Sequence, residues 1–117
     1  MSSSSPLRVA FLGSGAFGVP ALRAVRERFE VPLVVSQPDR RAGRGRASTP
    51  TPISAQVEGL GTDAPRLLRV QDVNTPEVLR AFQEERIDAM LVIAFGQKLG
   101  SDLLENFFAV NLHASLL

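Results

Sequence analysis

An open, mostly parallel α/β sheet with helices on both faces is the fold class that this 117-residue sequence predicts, and three observations carry it. Apolar, strand-like runs alternate with segments of helical period along the chain. Two of those runs, Val-Pro-Leu-Val-Val-Ser at residues 31–36 and Ala-Met-Leu-Val-Ile-Ala at residues 89–94, lack polar alternation, which implies burial on both faces. Composition agrees: 44% hydrophobic and 21% charged residues exclude a disordered or fibrous chain. There is no cysteine, which removes disulfide scaffolds, zinc knuckles and thiol nucleophiles. No apolar run approaches the ~18 residues of a membrane span. Residues 1–6 are a serine-rich stretch without the features of a secretory signal, so they read as a disordered tail on a cytoplasmic protein.

The elements follow in order. Residues 7–13 form a strand that stops at Gly13. Residues 17–29 form a helix with Ala21, Leu22, Val25 and Phe29 on one face and Pro20 in the first turn. Residues 31–36 form the second strand, with Pro32 at its start. Residues 37–49 carry Pro, Gly and Arg without an apolar period and read as a long loop. Thr51-Pro52 is an N-cap followed by proline, opening a helix to about Glu58. Residues 66–70 form a short third strand, and Asn74-Thr75-Pro76-Glu77 repeats the cap signal before a helix bearing Val78, Leu79 and Phe82. Residues 89–94 form a strand apolar at every position, residues 101–106 a short helix, and residues 107–113 a last strand. The chain stops at Leu117 with no helix to cover that strand. The sequence therefore reads as cut off within a domain, and these residues alone are expected to be marginally folded and prone to self-association.

Net charge is +1, but its distribution is uneven: up to Pro50 there are 8 arginines against 3 acids, and thereafter 5 basic residues against 9 acids. Arg40, Arg41, Arg44 and Arg46 fall close together with no acid among them. Arginine's planar fork matches phosphate, and the absence of aromatics in the loop argues for backbone contact with a folded nucleic acid over stacking on bases. A solvated, flexible loop is the alternative.

Two further motifs bear chemistry. Gly13-Ser14-Gly15-Ala16-Phe17-Gly18 is a G-x-G-x-x-G between a strand and a helix, the pattern of a phosphate-binding turn or simply of close strand–helix packing. A dinucleotide reading finds no acid at the end of the second strand, although Arg40 and Arg41 could hold a 2′-phosphate. Asn111 and His113 lie two apart on a strand and so share a face at its carboxyl end. An amide donor beside an imidazole suits a reaction that passes through an oxyanion, and a hydrogen-bonded structural histidine is the alternative. His113 is the only histidine, which excludes a His-rich metal cluster.

In their order, these motifs resemble the folate-dependent formyltransferases, and among them the methionyl-tRNA formyltransferases. The resemblance runs from Arg8 to Leu117 through Val9-Ala10-Phe11-Leu12-Gly13, Phe17-Gly18-Val19-Pro20-Ala21-Leu22, Gln37-Pro38-Asp39-Arg40 and Ala42-Gly43-Arg44-Gly45. It continues through Thr49-Pro50-Thr51-Pro52-Ile53 and Ala94-Phe95-Gly96-Gln97-Lys98-Leu99 to Asn111-Leu112-His113-Ala114-Ser115-Leu116-Leu117, which matches the family's Asn-x-His signature.

The resemblance implies a Rossmann-like formyltransferase fold, incomplete at the C-terminus, over residues 7–117. It implies transfer of a formyl group from 10-formyltetrahydrofolate, with no metal, to the amino group of methionyl-initiator tRNA. Asn111 and His113 match the family's catalytic pair. Ile93, Ala94, Phe95, Gly96, Gln97, Leu99 and Ser115 match the folate-binding part, Arg40, Arg41, Arg44 and Arg46 the tRNA-binding loop, and Phe17 a position near the aminoacyl end.

The chain departs from the family where the usual Gly-Thr-Pro-Glu-Phe is Gly13-Ser14-Gly15-Ala16-Phe17, where Phe95 replaces tyrosine and where Gly100 replaces proline. The family's catalytic aspartate and C-terminal tRNA-binding barrel domain are not within the sequence, so the resemblance implies that these residues alone are inactive. A sugar-nucleotide or purine-pathway formyltransferase, an NADP-binding oxidoreductase domain and a non-catalytic nucleic-acid-binding fragment remain the alternatives.

Overall fold

The structure, a computed structural model, describes residues 7–41 and 48–112. In chain order the elements are β1 (Arg8–Gly13), α1 (Val19–Arg28), β2 (Glu30–Ser36), β3 (Arg40–Arg41), β4 (Ser48–Thr49), α2 (Pro52–Glu58), β5 (Arg66–Arg69), α3 (Pro76–Glu84), β6 (Ala89–Ile93), α4 (Ser101–Asn106) and β7 (Phe108–Leu112). Short 3₁₀ turns at Ala16–Gly18 and Gly61–Asp63 precede α1 and β5. Five strands pair in parallel in the order β5-β2-β1-β6-β7.

Alternation along the strands explains the two-faced core. Ala10 and Leu12 pack with Leu33, Val35, Met90 and Val92 into one apolar cluster, closed by Phe82 of α3 and Leu103 of α4. Phe11 points the other way, into a cluster with Val34, Ile93, Leu22 of α1, and Ile53 and Val57 of α2. One helix pair thus covers each face, as the uninterrupted apolar runs require. The β1–β2 register slips by one residue, Arg8 pairing with Glu30 but Ala10 with Leu33, across the segment that holds Pro32. Proline has no N–H to donate to the ladder, so the irregularity falls where a donor is already missing, and it leaves Val31 and Val34 in the same cluster.

Both expected caps form. The Thr51 hydroxyl accepts from Ser54 N at 3.1 Å and that of Thr75 from Val78 N at 3.4 Å, each ahead of a proline in the helix's first turn. Two expectations are corrected. The loop expected at residues 37–49 holds a two-pair antiparallel ladder, Arg40 opposite Thr49 and Arg41 opposite Ser48. So short a ladder has no apolar period to read; its root is fixed from outside the loop by Arg69, which donates to Asp39 Oδ1 at 2.8 Å and also bonds Glu58. The last strand begins at Phe108, not Phe107. Phe107 ends α4 instead, its N–H bonding Leu103 O at 3.0 Å and its ring lying 4.9 Å from that of Phe82. On β7 Ala109 packs toward the α3/α4 cluster, while Phe108 and Val110 are exposed. No helix among the described residues is long and apolar enough to cross a membrane.

Candidate functional site

The strand order reverses between β1 and β6, and in open α/β sheets the crevice at the carboxyl ends of such strands is where ligands bind. Here that crevice is bridged by a seam. The N–H groups of Ser14 and Gly15 both donate to Ala94 O, at 3.2 and 3.3 Å. The approach is close because Gly13 has no side chain: a Cβ there would lie 2.8 Å from both Ile93 O and the Phe11 ring. The glycine turn therefore serves strand packing. The Ser14 and Gly15 amides are committed to Ala94 O, which takes away the donors that a pyrophosphate would use.

On the β2 side of the seam lies a cavity of about 460 Å³. Ser14, Gly15, Gln37, Arg40, Arg41 and Thr51 are among the residues lining it. Two of its lining hydroxyls, Ser14 and Thr51, are joined through a third behind them. Ser36, fully buried at the end of β2, donates to Ser14 Oγ at 3.3 Å and lies 2.7 Å from Thr51 Oγ1. With its proton directed to Ser14, Ser36 accepts from Thr51. Ser14 Oγ in turn accepts from Gln37 N at 3.0 Å.

Arg40 and Arg41 are exposed on the ladder beside this cavity. Asp39, immediately before them, is paired with Arg69, whose pKa is raised above the ordinary arginine value by its hydrogen bond to Glu58 and then by that to Asp39. The pairing offsets the carboxylate that would oppose an anion at Arg40 and Arg41. Phe17 is exposed on its 3₁₀ turn and is not among the residues lining the cavity. Arg44 and Arg46 lie outside the described residues.

On the β7 side is a smaller cavity, about 230 Å³, that brings Asn111 together with Val92, Gln97, Lys98, Leu99 and Ala109. Asn111 is exposed and sits opposite Val92 in the β6–β7 register. The other residues of the expected folate segment divide. Ile93 and Phe95 are buried, in the α1/α2 and the α3/α4 cluster respectively. Ala94 (φ 49°) and Gly96 (φ 85°) are exposed and left-handed, so the chain turns sharply on leaving β6. His113 and Ser115 lie outside the described residues.

The structure thus places Asn111 with Gln97 and Leu99, and Arg40 and Arg41 with the glycine turn, on opposite sides of the seam. Sequence reading placed Thr51 and Asn74 in helix caps and Ser36 and Gln37 at the end of the second strand, but did not foresee the hydrogen bonds through which they brace this region. The signal that could have found them is Ser36 itself, a hydroxyl closing an apolar run and therefore in need of a buried partner.

Comparison with known proteins decides the family. The profile of the family described as Formyl transferase matches residues 7–117, nearly the whole chain. The chain belongs to the formyl transferase family. It is 42% identical over 114 residues to the methionyl-tRNA formyltransferase of Caulobacter vibrioides, covering 95% of this chain and 36% of that protein. With the methionyl-tRNA formyltransferase of Halothermothrix orenii the identity is 36% over 115 residues, covering 95% of this chain and 35% of the relative. The chain therefore spans about a third of the length of the curated relatives it matches. Among solved structures, glycinamide ribonucleotide transformylase 1 from Geobacillus kaustophilus superposes with a TM-score of 0.67 at 22% identity, covering 96% of this chain and 60% of that one. That likeness establishes the Rossmann-like formyltransferase fold seen in the five-stranded parallel sheet.

Proposed function

We infer that this formyl transferase chain carries the donor side, and part of the acceptor side, of a site that moves a formyl group from 10-formyltetrahydrofolate to the amino group of methionyl-initiator tRNA. The observation that carries the reading is the pair of cavities flanking the Ser14/Gly15–Ala94 seam, one beside Arg40 and Arg41 and the other holding Asn111. Transfer between a polyanion and a flat heterocyclic donor calls for two sides of this kind meeting at one end of the sheet. Two exposed guanidinium forks suit a phosphate backbone, and the curated relatives are named for a tRNA acceptor. The donor-side cavity, about 230 Å³, is smaller than the ~300–1,000 Å³ usual for a whole ligand, so it takes the head of the folate and not its full length.

In the reaction the amino nitrogen of the methionyl group attacks the formyl carbon. A C–N bond forms, negative charge gathers on the formyl oxygen, and the intermediate collapses with cleavage of the bond to N10. The proton lost by the amine ends on N10. Asn111 supplies an N–H to the developing oxyanion, and His113, two residues on, handles the proton.

The test is a chimera in which this chain replaces the matching N-terminal third of the Caulobacter vibrioides relative, assayed with 10-formyltetrahydrofolate and three acceptors. Formylation of methionyl-tRNA, with glycinamide ribonucleotide and an amino-sugar nucleotide left unmodified, is the expected result. Preference for either small acceptor would refute the tRNA reading while leaving the family assignment intact.

A further inference from the structure

We propose that Asn74 and Gln97 are positioning residues: together they form a clasp of side-chain amides that holds residues 95–100 in the shape the donor side requires. The proposal rests on the reading of that segment as donor-facing.

Three observations carry it. First, the segment leaves β6 through two left-handed residues, Ala94 at φ 49° and Gly96 at φ 85°. A non-glycine residue there is strained and persists only where its surroundings over-determine it. Second, those surroundings are specific. The Gln97 side chain donates to Val70 O at 3.1 Å and accepts from Val73 N at 2.7 Å. Asn74 reaches back, donating to Lys98 O at 3.0 Å and accepting from Gly100 N at 2.6 Å. Both amide side chains are thus bonded through oxygen and nitrogen alike, and both tie the segment after β6 to the one between β5 and α3. On its other flank the segment is held by Gln37, which donates to Phe95 O at 3.0 Å. Third, the fit depends on Gly100. A Cβ there would lie 2.8 Å from Asn74 Oδ1, and a proline would also lack the N–H that Asn74 accepts. Asn74 and Gly100 therefore act as a matched pair.

The consequence is a division of labour. The Gln97 amide is committed to the Val70–Val73 backbone, so its contribution to the donor side comes through the path it imposes on Lys98 and Leu99. Gln97 lines the Asn111 cavity beside both of those residues, but with its amide oxygen and nitrogen already bonded to the backbone. Asn74 is not among the residues lining that cavity and acts only through the segment.

Two measurements test the clasp. In the full chain, Asn74→Ala should speed hydrogen exchange of the Gly100 amide and its neighbours by about tenfold, the factor a single net hydrogen bond is worth, while exchange in β1 and β6 stays unchanged. In the chimera, the same substitution should weaken binding of the unreactive analogue 5-formyltetrahydrofolate by a similar factor and leave tRNA affinity unaltered. Gly100→Pro should do the same on its own, but should add little further loss in the Asn74→Ala background, because the partner it offends is gone.

Unchanged exchange in Asn74→Ala, or losses that simply add in the double variant, would overturn the clasp. Faster exchange with unchanged folate affinity would overturn its positioning role alone. No folate binding by the unsubstituted chimera would overturn the donor-side reading and this proposal together.

Discussion

Gly13 and Gly15 stand two residues apart in one turn and do different work. A Cβ on Gly13 would meet Ile93 O and the Phe11 ring at 2.8 Å, whereas one on Gly15 would meet nothing nearer than Ala94 Cβ at 3.6 Å. Gly15 also has φ −77°, which any residue adopts. Gly13→Ala should therefore destabilise by about 1–3 kcal/mol, as overpacking does. Gly15→Ala should stay within about 0.5 kcal/mol. Urea denaturation of the two variants reads the difference, and equal losses would mean that the turn is not packed as described. The same scale holds the chemistry. Asn111→Ala in the chimera should lower kcat by ~10²–10³, the usual loss for one oxyanion donor, with folate affinity retained. His113→Ala should lower it at least as far. Near-normal turnover of either variant in single-turnover assays would remove that residue from the mechanism.

At the scale of elements, the two threonine caps separate a purely local role from a connected one. Thr75 caps α3 and no more, while Thr51 caps α2 and also bonds the buried Ser36. Loss of a cap costs about 0.5–2 kcal/mol, and leaving a buried hydroxyl short of a partner adds to it. Thr51→Ala should thus lower the thermal midpoint more than Thr75→Ala does; the reverse order would contradict the hydroxyl chain at the end of β2. The β3–β4 ladder bears a functional prediction. Arg40→Ala and Arg41→Ala in the chimera should each flatten the dependence of tRNA affinity on log salt by about 0.7–0.9, one phosphate contact apiece, with folate binding unchanged. An unaltered slope would reduce the ladder to solvated surface.

These elements also show what the sequence made legible. Caps were readable because Thr51-Pro52 and Thr75-Pro76 state their chemistry within two residues, and the central strands because burial on both faces removes polar alternation. The ladder at Arg40 and Arg41 and the clasp at Asn74 and Gln97 were not readable. Each depends on partners brought from elsewhere, Arg69 to Asp39 in the first case and Gln97 to Val70 and Val73 in the second, and no local period records them. Of the candidate site, Asn111 and the segment after β6 were singled out by their motifs, and the structure brings Asn111 together with Gln97, Lys98 and Leu99. The burial of Ile93 was legible with its strand, whereas that of Phe95, beyond the end of β6, was not, since it follows from the sharp turn at Ala94 and Gly96 that no local period records.

At the scale of the whole molecule, the central claim is that the seam from Ser14 and Gly15 to Ala94 divides an acceptor side from a donor side at one end of a doubly covered parallel sheet. The most direct measurement is hydrogen exchange of the chimera with one ligand at a time, 5-formyltetrahydrofolate or a hairpin that mimics the initiator acceptor stem. The account predicts that the folate protects peptides containing Gln97, Lys98, Leu99 and Asn111 and leaves those containing Gln37, Arg40, Arg41 and Thr49 unprotected, and that the hairpin does the opposite. Protection of the same peptides by both ligands, or the reverse assignment, would contradict it.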